Sequence, residues 1–196
     1  MPTLHHLYAA ELSDLLTAEK RILQELATMS ALAASPQLRS AFDQHRAETR
    51  THVEQLGLLL GSQELSLPVP ANGLAALIED GRRRFANLPH GDVLDAALIA
   101  AAQRIEHYEI ASYRMSQRYA ESLDDADAAQ ALNRILKEEE RANHVLDGLA
   151  ERIIKKPSQI TTSAPEPPLP DSGEITTRAT EQPKTASARI ERYRER

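Results

Sequence analysis

Cysteine is absent from the 196 residues. That removes disulfides, thiolate metal sites, cysteine nucleophiles and any rubredoxin-type iron centre together, and leaves a metal to be held by oxygen and imidazole alone. Tryptophan is also absent, aromatic residues make up 4% of the chain and glycines number 7. Such a composition suits helices and disfavours a β-sandwich or a glycine-looped nucleotide fold, and neither a P-loop nor a dinucleotide fingerprint occurs. No apolar run approaches the roughly 18 residues a membrane span needs. The first residues, "MPTLHHLYAAELSDLL", lack a basic region followed by an apolar core, so the chain is expected to be cytoplasmic. A net charge of -6 argues against binding to a phosphate backbone and suits a soluble protein that attracts cations.

Hydrophobic residues make up 41% of the sequence, enough to bury the core of one good-sized domain. The composition changes after Lys156. Six of the 11 prolines (Pro157, Pro165, Pro167, Pro168, Pro170 and Pro183) fall in residues 157–196, and "TTSAPEPPLPDSGE" has no periodicity that could bury a face. Residues 1–156 are therefore expected to form the domain and 157–196 a disordered Pro-rich tail, with a protein partner for that tail left open.

Four long helical patterns fill the domain. Leu12, Leu15, Ile22, Leu26 and Met29 recur at three- and four-residue steps in the first, which stops before Ser35-Pro36, an N-cap and first-residue pair for the second. The second carries Leu38, Phe42, Leu56 and Leu59. The third starts near Gly91-Asp92 with Leu94, Leu98, Ala102 and Ile105, and "SLDDAD" turns it into the fourth, marked by Leu132, Ile135, Leu136, Leu146 and Ile153. Short links make two antiparallel hairpins. The link between them, 61–91, is long enough to cross the bundle and contains an amphipathic piece around Leu74–Phe85. The expectation is an all-α four-helix bundle with one crossover, the connectivity of ferritin-like folds.

Each apolar stripe is interrupted near its middle. Glu19 lies between Leu15 and Ile22. His45, Glu48 and His52 stand where the second stripe should run from Phe42 to Leu56; the two histidines lie within roughly 20° of each other and Glu48 about 60° from His45. Glu106 and Glu109 break the third. Glu139 breaks the fourth, with Asn143 one turn on and His144 beside it. The depths agree: Glu19 is 16 residues before Ser35 and Glu48 13 after it, while Glu109 and Glu139 are each 15 from Asp124. At 1.5 Å per residue these offsets differ by only about 4 Å. Four uncompensated carboxylates at one level of a helical core must be protonated, paired or neutralised by cations. A glutamate from each of four helices, with imidazole added, suits a di-iron or di-manganese site. His45 fits equally a direct ligand or a histidine that supports one. His5, His6, His90 and His107 read as surface or packing residues, Lys137–Arg141 as solvated charge apart from Glu139, and Tyr108, Tyr113 and Tyr119 as packing, with one hydroxyl available to the site.

"LYAAELSDLLTAEKRIL", "FDQHRAETRTHVEQL" and above all "DAALIAAAQRIEHYEIASY" resemble the YciE/YciF-like group of ferritin-like proteins over roughly residues 3–155. The resemblance implies a rubrerythrin-like bundle, a carboxylate-bridged dinuclear metal site, a homodimer and association with bacterial stress responses. Carried over by position, the implied ligands are Glu19, Glu48, His52, Glu106, Glu109 and Glu139; from the constellation itself, Glu48 and Glu139 are expected to bridge the two metals. Similar sequences tend to carry Asp where this chain has Asn143, and a neutral amide is a weaker ligand than a carboxylate. The expected chemistry is reduction of peroxide or dioxygen at two iron ions, manganese being the alternative metal. Two other classes stay open: iron binding and storage, which would need a large shell, and a metal-free helical interaction module in the stress response.

Overall fold

The computed structural model describes residues 3–62 and 72–154. The segment 157–196, expected to be a tail, lies outside them. Among the described residues every regular element is a helix: α1 (Leu4–Leu32), α2 (Pro36–Gly61), α3 (Asn72–Phe85), α4 (Asp92–Ser122) and α5 (Ala126–Ile153).

The helix boundaries follow local chemistry. The Ser35 hydroxyl accepts from the Leu38 amide at 3.3 Å and Pro36 fills the first helical position, so α2 begins where its free N–H groups are capped. Gly91 precedes α4 with φ of 126°, a conformation that L side chains rarely adopt. Asp124 turns the chain between α4 and α5 with φ of 58°, and Asp125 caps α5 through the Ala128 amide.

The three-residue links α1–α2 and α4–α5 force antiparallel hairpins. Asp95, in the first turn of α4, places the second hairpin on the first. Its two carboxylate oxygens accept from the amides of Ala34 and Ser35 at 2.8 and 2.7 Å, so α4 begins beside the α1/α2 turn and runs antiparallel to α1. Between α2 and α5, Glu48 meets Arg141 and His52 meets Glu138, which makes that pair antiparallel as well. The chain therefore crosses the length of the bundle between α2 and α4. On that crossover α3 packs against α4 and α1: a Cβ on Gly81 would stand 3.0 Å from Cβ of Ala101, and Arg82 donates from Nε to the buried Glu25 at 2.9 Å.

The apolar core comes in two blocks. One, at the end of the α1/α2 turn, contains Ile22, Leu26, Phe42, Leu98, Ile105 and Leu146 together with Leu74 and Ile78 of α3. The other, at the opposite end, contains Leu12, Leu15, Leu56, Tyr113, Leu132, Ile135 and Leu136. In each long helix the residues that interrupt the stripe fall between these blocks. The fold thus holds a polar layer at mid-height, sealed on both sides by hydrocarbon.

Candidate metal centre

The polar layer consists of Glu19, His45, His52, Glu106, Glu109 and Glu139, all buried. They form two groups that share one residue. In the first, His45, Glu106, Glu109 and Glu139 each offer a ligand atom within 4.8 Å of the others; in the second, Glu19, His52 and Glu139 do the same. His45 Nε2 lies 3.2 Å from Glu106 Oε1 and 3.5 Å from Glu139 Oε2. His52 Nδ1 lies 3.0 Å from Glu139 Oε1 and 3.4 Å from Glu19 Oε1.

These distances are short, yet the atoms are not aligned as hydrogen bonds. Both oxygens of Glu109 and of Glu139, Oε2 of Glu19 and of Glu106, both ring nitrogens of His45 and Nδ1 of His52 are buried without a hydrogen-bond partner. Buried polar groups are ordinarily satisfied, because an unmet one costs about 1–3 kcal/mol. Convergent carboxylates and imidazoles with so many unpartnered atoms are chemically suited to a cation, and carboxylate oxygen with imidazole nitrogen suits iron, manganese or another first-row divalent ion. The residues present therefore fit a dinuclear site in which Glu139 belongs to both halves.

Electrostatics say the same. Burial first, then the charges of Glu19, Glu139 and Glu106, push the Glu109 carboxyl well above its ordinary range. Burial raises Glu139 to about 7, opposed by His45 and His52 and assisted by Glu19 and Glu106. For His52 burial alone would lower the pKa, but Glu139 and Glu19 outweigh it and raise the ring to about 10. His45 is likewise lowered by burial and raised further by Glu106 and Glu139. Without metal, protons take the place of the missing positive charge.

The structure brings together five of the six residues implied as ligands: Glu19, His52, Glu106, Glu109 and Glu139. Glu48, expected as a bridge, is in neither group. Its Oε1 accepts from Arg141 at 2.7 Å and from Gln44 at 3.1 Å, and its Oε2 is 3.9 Å from His45 Nδ1, an electrostatic contact rather than a hydrogen bond. The His45 ring, then its amide and guanidinium partners, hold the Glu48 carboxyl down at about 2 against the opposing effect of burial. His45, which fitted either of two roles, is brought into the first group with Glu106, Glu109 and Glu139. Asn143 is half-buried with Oδ1 lacking a donor, and His144 is exposed; neither joins the two groups. His107 is on the surface, bonded through Nδ1 to the carbonyl of Gln103 at 2.7 Å.

Two participants were not singled out by the sequence. Tyr113, fully buried, donates its hydroxyl to Glu19 Oε1 and sets its ring edge-on to His52 with centroids 6.4 Å apart. Only the general signal that one tyrosine hydroxyl was available pointed there. Glu138, read as solvated charge, reaches His52 Nε2 at 2.7 Å. A cavity of about 30 Å³ beside the layer, lined by Phe42, His45, Glu48, Glu106, Arg141 and Leu146 among others, is large enough for a water-sized molecule.

Comparison with known proteins agrees with this architecture. The chain is 34% identical over 162 residues to Protein YciF of Escherichia coli K12, a match that spans 81% of this chain and 97% of that protein. The crystal structure of the E. coli stress protein YciF superposes with a TM-score of 0.74 at 33% identity, over 79% of this chain and 98% of that one. YcfI from Rhodopseudomonas palustris superposes with a TM-score of 0.68 at 32% identity, over 74% and 94%. A protein from Xanthomonas campestris shares the fold at a TM-score of 0.61 and 22% identity, over 78% and 94%. Residues 3–158 match the family described as a domain of unknown function, DUF892, and with the YciF matches over most of the chain this shows that the protein is a DUF892 member of the YciE/YciF-like group.

Proposed function

We propose that this protein holds two divalent transition-metal ions, iron foremost and manganese as the alternative, and uses them to remove peroxide or dioxygen in a protective stress response. The observation that carries this reading is the pair of buried ligand groups sharing Glu139, in which both oxygens of Glu109 and of Glu139, both ring nitrogens of His45 and Nδ1 of His52 have no hydrogen-bond partner. Two such ions, when bound, supply paired Lewis acids and two one-electron reductants for a two-electron reduction.

The residues account for the remainder. Burial favours the protonated forms of Glu109 and Glu139 in the metal-free state, and any protons they hold must leave when a cation arrives, so loading releases protons. Tyr113 orients Glu19 and its ring closes the second group toward the apolar block below. On the side of the first group the cavity next to His45 and Glu106 admits a molecule of the size of peroxide, and the Arg141–Glu48 pair lies across the seam between α5 and α2 there. That E. coli YciF is named a stress protein supports the physiological part of the proposal. We take the chain to act as a homodimer, the state that the family resemblance implies.

Protein purified after growth with iron should contain close to two transition-metal ions per chain and consume peroxide when loaded, whereas Glu139→Ala, which removes the shared residue, should hold fewer than one and lose that activity. Elemental analysis finding no metal in the wild type would sink the proposal in favour of a metal-free helical module. A large shell with many irons per chain would point to storage instead.

A further inference from the structure

One contact at the edge of the polar layer belongs to neither donor group. The side chain of Glu138 is 40% exposed, yet its Oε2 stands 2.7 Å from Nε2 of His52, whose side chain is fully buried. Glu138 and Glu139 are consecutive and therefore about 100° apart around α5. Glu139 faces the bundle interior, and Glu138 approaches the same imidazole from the seam with α2. An ionised carboxylate can only accept, so the bond requires the proton to be on Nε2. In the metal-binding form of the ring, which keeps its proton on Nε2, Nδ1 offers a lone pair to the layer where Glu139 Oε1 and Glu19 Oε1 lie 3.0 and 3.4 Å away and neither is aligned as a hydrogen-bond partner.

We infer that Glu138 is a positioning residue for the subsite formed by Glu19, His52 and Glu139. It fixes the tautomer and the rotation of the His52 ring so that Nδ1 is presented to a divalent cation, and it increases the basicity of that nitrogen. The inference rests on reading the layer as a metal centre. Its effect is confined to one subsite, because His45 has no equivalent support: the nearest outer carboxylate, Glu48, is 3.9 Å from its Nδ1 and is bonded to Arg141. The two halves of the site are therefore unequal in how firmly their imidazoles are held.

The test is titration of the metal-free full-length chain with Co(II) alone, followed by visible absorption and calorimetry, for the wild type, Glu138→Ala and Glu138→Gln. The wild type should bind two equivalents. Glu138→Ala should keep one equivalent at its original affinity and bind the other about 10- to 100-fold more weakly. Glu138→Gln, whose amide oxygen still accepts from Nε2–H, should fall between the two and carries the test alone if the alanine variant does not fold. Unchanged affinities in the variants, or both equivalents weakened in parallel, would make Glu138 a structural ion-pair partner and overturn the inference. A wild type that binds no Co(II) would overturn the metal reading itself, so the two failures are distinct.

Discussion

Glu109 shows how a single buried residue separates a functional site from a structural one. It is fully buried and neither oxygen has a partner, so it contributes no bond that would hold helices together. Glu109→Gln keeps the shape and removes the crowded acid. The metal-free variant should be as stable as the wild type or more stable, and its metal affinity should fall at least tenfold. Denaturant unfolding of both metal-free proteins beside an Fe(II) titration checks this. Were Glu109 half of a structural ion pair, its loss would strand a charge and cost about 3–5 kcal/mol with metal binding unaltered. Glu48 illustrates the opposite case. Its position about 60° from His45 on α2 is enough to turn it out of the layer and onto Arg141.

At the scale of elements, Asp95 joins the two hairpins. Two backbone N–H groups in the α1/α2 turn depend on its carboxylate, and a buried carboxylate that accepts two such bonds is worth more than a neutral acceptor. Asp95→Ala should lower unfolding free energy by about 2–4 kcal/mol, measured by urea denaturation, because it leaves those amides unmet. Asp95→Asn should cost less, since one oxygen still accepts. Core positions flanking the layer follow packing rules: Leu132, with no exposed surface, should cost about 2–5 kcal/mol when replaced by alanine.

For the whole molecule the buried layer sets the dependence of stability on pH. Glu109 and Glu139 have folded pKa values raised above the ordinary 4.5, so the folded state binds their protons more tightly than the unfolded state does. Their contribution is present at low pH and is lost as pH rises from about 4.5 through about 7 for Glu139. His52, raised from 6.5 to about 10, contributes fully below 6.5 and loses that contribution as pH rises through 10. Glu48 acts in the reverse direction, but only as pH falls toward 2. The melting temperature of the metal-free protein should therefore decline between about pH 5 and about pH 9. Added Mn(II) should raise it by an amount that grows with pH, because the ligands must first lose protons. A metal-free melting temperature that climbs over the same range would show that the layer is not protonated as described.

The number of helices, their ends, the hairpin pairing and the level of the polar layer were legible in the sequence, because each depends on short-range chemistry: the 3.6-residue period, Ser35-Pro36, Gly91 and the Asp-rich turn before α5. Glu19, Glu106, Glu109, Glu139 and His52 were legible for the same reason, since an acid or imidazole inside an apolar stripe at a fixed depth reports its own position. Azimuth was not. His45 and Glu48 are one helical turn apart, and which of them enters the layer depends on how α2 rotates against α5, where Arg141 waits for one of them. Glu138 and Asp95 were hidden for a related reason: each is an ordinary charged residue along its own helix and acquires a role only from a residue far away in the chain, His52 or the amides of Ala34 and Ser35. Periodicity places a side chain on a face and at a height, but the seam it meets is created only when the second hairpin packs on the first.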